Sequence, residues 1–156
     1  MRPLDLQVNG YAGTDFNSDD LTAEALHHAC VALEEDGADA ILATFITDEI
    51  GTLERRMTRL RELREADDLA KRLILGIHIE GPFINPEPGY VGAHPKAAVK
   101  PANIEDAKRL LDAAGGLARL VTLAPEHDAH FHVTEFLANS GITVSAGHCN
   151  PSIEQL

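Results

Sequence analysis

Five short apolar runs alternate along the chain with stretches in which apolar residues follow helical spacing. The runs predict strands at residues 4–8, 40–46, 73–80, 117–123 and 142–146. The stretches between them predict helices over residues 21–33, 53–63, 103–111 and 133–137, with a fifth helix beginning near Pro151. This strict order of strand and helix predicts a parallel sheet covered by helices.

Polar residues stand where the predicted strands end, at Asn9, Thr47, Glu80, Glu126 and His148. The carboxyl ends of parallel strands meet at one edge, both in a closed barrel and in an open doubly wound sheet. The barrel is favoured because the turn after the first strand lacks the glycine spacing of a phosphate-binding fingerprint. We therefore expect a partial (β/α)8 TIM barrel of about five βα units, in a single domain over residues 1–156.

The last predicted helix has barely begun when the sequence stops at Leu156. A closed barrel needs eight strands, so we expect a truncated barrel. The competing account is a complete small domain that ends in a stub helix.

Composition narrows the possible partners. The formal net charge of −12 argues against nucleic acid and anionic membranes, although a locally positive pocket could still bind a small anion. No apolar run approaches the length of a membrane span. Cys30 and Cys149 are too isolated for a disulfide framework, which indicates a reducing cytoplasm.

Glu80 ends an apolar strand, and a carboxylate in such a place is costly unless a cation meets it. His78 lies on the same face of that strand and is expected to be a packed interior histidine. His148 ends the fifth strand at the same edge of the sheet. Glu80 and His148 could therefore share one divalent ion, and their ligand types suit zinc or iron.

Other polar residues receive weaker assignments. Glu126 is either a hydrogen-bond acceptor behind the site or a charge on the rim, and both readings stay open. The acidic run at residues 65–68 is expected to be solvated. A solvated turn is also expected for the histidines in the loop before the fourth helix, which are His127, His130 and His132.

Four separated strings, DLQVNGYAGTDFN, HIEGPFINPEPGYVGAHP, TLAPE and GITVSAGHCN, resemble the N-acetylglucosamine-6-phosphate deacetylase family of the amidohydrolase superfamily. The resemblance implies a metal-dependent barrel that removes acetate from an amino-sugar phosphate, with Glu80 and His148 as metal ligands. It places Gln7 and Asn9 where many amidohydrolases have a His-x-His pair, behind a single dominant metal ion. It also implies Ala93 and His94 as contacts to the substrate.

The same family pattern includes a further metal histidine and a catalytic aspartate that this sequence does not contain. We therefore expect no catalytic acid-base residue in this chain and negligible activity from it alone. One alternative is another amidohydrolase that acts on a cyclic or acylated amide. A second is a non-catalytic half-barrel whose bare edge strands pair with another copy, forming a homo-oligomer.

Overall fold

The computed structural model describes residues 4–155. Its strands are β1 (Leu4–Val8), β2 (Gly10–Tyr11), β3 (Thr14–Asp15), β4 (Ala40–Ile46), β5 (Ile74–Glu80), β6 (Ala118–Leu123) and β7 (Thr143–Ala146). Its α-helices are α1 (Ala23–Glu35), α2 (Ile50–Glu65), α3 (Asp68–Leu73), α4 (Ile104–Ala114) and α5 (His132–Asn139). Single 3₁₀ turns lie at Lys96–Ala98, Pro125–His127, Ala129–Phe131 and Ile153–Gln155.

One five-stranded sheet organises the molecule, in the order β1-β4-β5-β6-β7. All four strand pairs are parallel, so the sheet grows in one direction along the chain and curls into a half-barrel. The prediction of a parallel five-stranded sheet with helices, part of a barrel, is confirmed. β5 lies at its centre, which places Glu80 between Ile46 of β4 and Thr122 of β6.

The apolar core fills the space between one face of the sheet and the helices. Ile41 and Phe45 of β4 are fully buried there, together with Leu53, Met57 and Leu60 of α2. These side chains recur at the strand period of two and at helical spacing, which is why the hydrophobic pattern located both elements.

The opposite, concave face carries a buried polar layer around His78, which is only 3% exposed. Nδ1 of His78 lies 3.1 Å from the carbonyl of Leu6, which only accepts, so Nδ1 donates and Nε2 accepts from Thr122 Oγ1 at 2.8 Å. Burial lowers the pKa of His78 and keeps the ring neutral. The interpretation of His78 as a packed interior histidine is confirmed.

Local capping agrees with the sequence at α4. Asn103 accepts a hydrogen bond from the amide of Asp106 at 2.9 Å, and the helix ends at Gly115, whose φ of +56° favours glycine.

The helix expected from Pro151 is not formed among the described residues. A single 3₁₀ turn stands there instead, because one turn cannot offset the cost of helix nucleation. Among residues 4–155, no helix is long and apolar enough to cross a bilayer.

Two small elements were missed by the sequence analysis. β2 and β3 form a two-stranded hairpin directly after Asn9, too short to give a periodic signal. The acidic run expected to be solvated contains the N-cap of α3. Asp67 Oδ1 accepts from the amides of Leu69 and Ala70, and Asp67 Oδ2 lies 2.6 Å from Nδ1 of His27 on α1.

Replacing Asp67 with alanine should lower the free energy of unfolding by about 1 kcal/mol, because two amides of α3 lose their acceptor. Urea unfolding measures this loss. Asp68→Ala is the matched control, since Asp68 is exposed and adjacent. His27→Ala separates the contribution of the His27 contact from that of the cap. Equal stability of the Asp67 and Asp68 variants would contradict the capping role.

Candidate metal centre

Three side chains from distant parts of the chain meet at the carboxyl edge of the sheet. Glu80 is the last residue of β5, His148 follows β7, and His94 lies in the long loop after β5. One ligand atom from each lies within 4.8 Å of the other two. Oε1 of Glu80 is 3.1 Å from Nε2 of His148 and 3.8 Å from Nε2 of His94. The two rings meet edge to face, with their centroids 4.4 Å apart.

The loop that delivers His94 is fixed to the strand ends by main-chain hydrogen bonds. The amide of Asn85 donates to the carbonyl of His148 at 2.9 Å, and that of Ala124 donates to Phe83 at 2.8 Å. Gly92 passes so close that an added Cβ would lie 3.2 Å from Cε1 of His148. The loop therefore packs directly on the imidazole, and its position and that of His148 depend on each other.

The His148 ring is oriented by its second nitrogen. Nδ1 lies 2.8 Å from the main-chain oxygen of Tyr90, which accepts only, so Nδ1 carries a hydrogen. In the neutral ring, the Nε2 lone pair then faces the Glu80 carboxylate, and two acceptors would repel each other at 3.1 Å. A proton or a metal cation between them removes this repulsion.

The ring of His94, whose side chain is only 6% exposed, is oriented by Thr47. Nδ1 accepts a hydrogen bond from the Thr47 amide at 3.4 Å and lies 2.8 Å from Thr47 Oγ1, whose hydroxyl donates to the carbonyl of Glu80. Because Nδ1 accepts, the hydrogen of the neutral ring is on Nε2, the nitrogen that faces Glu80. The Nδ1 contact from His148 to Tyr90 is instead the hydrogen bond by which a metal-binding histidine is usually oriented.

Glu80 is held ionised at the centre of this arrangement. Its pKa is lowered to about 2, chiefly by the His94 side chain, against the opposing effect of burial, with further lowering from Gln7 and His148. Gln7 Nε2 donates to Oε2 of Glu80 at 2.7 Å and lies 3.5 Å from Oδ1 of Asn9. Oε1 is thereby left to the two imidazoles. One carboxylate and two imidazoles form a donor set typical of zinc and non-haem iron.

The structure brings together Glu80, His148, Gln7 and His94, all of which the sequence singled out. His94 had been assigned to the substrate alone, and nothing in its spacing from Glu80 indicated that it would face the carboxylate. Ala93 is exposed at the mouth beside it. His130 and His132 form a ring pair of their own at 5.7 Å, and His127 is likewise absent from the group of potential ligands found among residues 4–155.

No protein-family profile matches the chain. It is 37% identical over 147 residues to the N-acetylglucosamine-6-phosphate deacetylase of Bacillus subtilis (strain 168), covering 93% of this chain and 36% of that enzyme. It is 30% identical to the enzyme of the same name from Lysinibacillus sphaericus, covering 98% of this chain and 38% of the relative. The chain therefore spans a little over a third of these relatives.

A solved structure with the same fold is the N-acetyl-D-glucosamine-6-phosphate deacetylase of Mycobacterium smegmatis, an Asp-to-Ala variant in complex with N-acetyl-D-glucosamine-6-phosphate. The TM-score is 0.83 at 27% identity, over 99% of this chain and 38% of that one. The five-stranded half-barrel thus matches part of the barrel of such enzymes.

Proposed function

We propose that this chain forms part of the catalytic barrel of a metal-dependent N-acetylglucosamine-6-phosphate deacetylase, which hydrolyses its substrate to glucosamine 6-phosphate and acetate. The observation that carries the proposal is the convergence of the His148 and His94 rings on the ionised Glu80. It lies at the edge of the sheet where barrel enzymes place their active sites. The similarity to deacetylases over almost the whole chain supports the substrate class. Two free cysteines suit a cytoplasmic enzyme.

We assign one divalent ion, zinc or iron, to Glu80 and His148, which make the shortest carboxylate–imidazole approach in the cluster. When bound, the ion would supply a Lewis acid for the amide carbonyl. Gln7 supports a single ion, because its amide occupies the Oε2 side of the carboxylate that a second cation would need. Asn9 stands behind Gln7 and restrains that amide.

His94 and Ala93 are assigned to the substrate. The His94 Nε2 lies farther from Glu80 than that of His148, and the ring belongs to the loop at the mouth of the barrel. From there it can donate to or accept from the acetyl group while Thr47 fixes its orientation. Ala93 is exposed beside it and offers main-chain groups to the sugar phosphate.

The purified chain should bind about one equivalent of Zn²⁺, and Glu80→Gln or His148→Ala should weaken binding at least about tenfold. His94→Ala should weaken it less, because His94 is assigned to the substrate. Competition titration with a chromogenic chelator measures all four proteins. Equal affinity in the wild type and Glu80→Gln would contradict the metal site, and a His94→Ala loss as large as that of His148→Ala would make His94 a ligand.

The chain alone should show negligible deacetylation, because the described residues bring no carboxylate besides Glu80 into the cluster to relay a proton. Glucosamine 6-phosphate release from N-acetylglucosamine 6-phosphate, with saturating Zn²⁺, is the direct assay. Turnover near the median enzyme rate of about 10 s⁻¹ would contradict this expectation.

We also infer that the chain associates with a second copy through its concave face. Leu4, Leu6 and Leu75 are 47%, 51% and 48% exposed and line one hollow together, and β1 and β7 are the edges of the sheet. Exposed apolar side chains beside unpaired strand edges favour pairing.

Light scattering coupled to size exclusion should therefore show a dimer or larger species at tens of micromolar. Leu6→Glu should shift the protein towards monomer. Ile104→Glu is the control, since Ile104 is exposed on α4, away from this face. A monomeric wild type would overturn the inference.

A further inference from the structure

Glu126 lies outside the group of potential ligands, in the 3₁₀ turn Pro125–His127 that follows β6. Its Oε1 accepts two hydrogen bonds, one from Nδ2 of Asn85 at 2.9 Å and one from the amide of Asn150. Its Oε2 is buried and has no partner among the described residues. Glu126 as a whole is half-buried, but a buried carboxylate oxygen without a partner is costly, which favours a role beyond a charge on the rim.

One donor is the side-chain amide of Asn85 and the other is the main-chain amide of Asn150, and both residues adjoin His148 in space or in sequence. The side-chain amide of Asn85 donates to Glu126, and the main-chain amide of Asn85 donates to the carbonyl of His148; each hydrogen bond is 2.9 Å long. Asn150 is two residues beyond His148. One carboxylate oxygen thus joins the loop after β5 to the segment after β7, and holds His148 from both sides.

The His148 backbone needs such support. Its φ is +50°, in the left-handed region, which is unfavourable for a residue with a side chain. Such a conformation persists only where the surroundings over-determine it. It also directs the imidazole, since Nδ1 then reaches Tyr90 and Nε2 reaches Glu80.

The charge of Glu126 fits this task. Burial raises its pKa, but the hydrogen bonds from Asn150 and Asn85 more than offset burial, so the pKa is lowered and the group is ionised. An ionised acceptor makes stronger hydrogen bonds than a neutral one.

We propose that Glu126 is a positioning residue that, through Asn85 and Asn150, holds His148 in the backbone conformation required for metal binding. This inference rests on the proposed function, since it assigns His148 to the ion. Glu126 itself lies outside the Glu80, His94 and His148 cluster.

Zn²⁺ affinity of the full 156-residue chain provides the first test. Glu126→Ala should weaken Zn²⁺ binding about 10- to 100-fold, the usual effect of losing a group that orients a ligand. Glu126→Gln should stay within about threefold of the wild type, because the amide oxygen still accepts both hydrogen bonds. Glu54→Ala is the matched control: Glu54 pairs with Arg109 across α2 and α4 and should leave Zn²⁺ affinity unchanged. A folded Glu126→Ala with Zn²⁺ affinity within twofold of the wild type would overturn the proposal.

NMR of the metal-free protein provides a second test that does not depend on the ion. The His148 ring and the Asn150 amide should shift in Glu126→Ala, and should not shift in Glu54→Ala. If the wild type binds no Zn²⁺, the proposed metal site fails, and these shifts alone decide the positioning role. If Glu126→Ala does not fold, Glu126→Asp replaces it in both tests, because it withdraws the carboxylate by one methylene and keeps the charge. Unchanged His148 resonances in the folded variant would refute the role of Glu126.

Discussion

The approach of the His148 and His94 imidazoles to one carboxylate oxygen of Glu80 is the interaction on which the described site depends. Neither imidazole can turn away, since Tyr90 and Thr47 engage the opposite nitrogens. Glu80 cannot turn away either, because Gln7 holds its other oxygen. The surrounding hydrogen bonds thus hold one carboxylate and two imidazoles close enough together to meet a single cation.

The parallel sheet creates the conditions for this arrangement. β5 is the central strand, so the carboxylate at its end has neighbouring strands on both sides and little exposure to water. The layer beneath it is polar yet satisfied, because His78 bonds both Leu6 and Thr122. Apolar packing on the helical side therefore holds the strands in place. Hydrogen bonds on the concave side hold the side chains at the strand ends.

The sequence predicted what periodicity and capping encode. The five strands, the start of α4 at Asn103 and the placement of Glu80 and His148 at one edge all followed from local patterns. The hairpin after Asn9 and the short helix α3 were not predicted, because a segment of a few residues is too short to show a hydrophobic periodicity. The approach of His94 to Glu80 was not predicted for another reason. Long-range hydrogen bonds to residues such as His148 set the path of the loop, and no local sequence pattern encodes these bonds.

Glu80 and His148 are 68 residues apart in sequence yet adjacent in space. A cation held between them would close a loop that contains two strands and two helices, and would act in the folded state as a removable cross-link. Closing a loop of this length removes conformational freedom from the chain, and ligand binding to the folded state alone shifts the folding equilibrium by mass action. The thermal stability of the folded chain would then rise with the free metal concentration. Glu80 and His148 would in that case serve both the chemistry of the site and the stability of the fold.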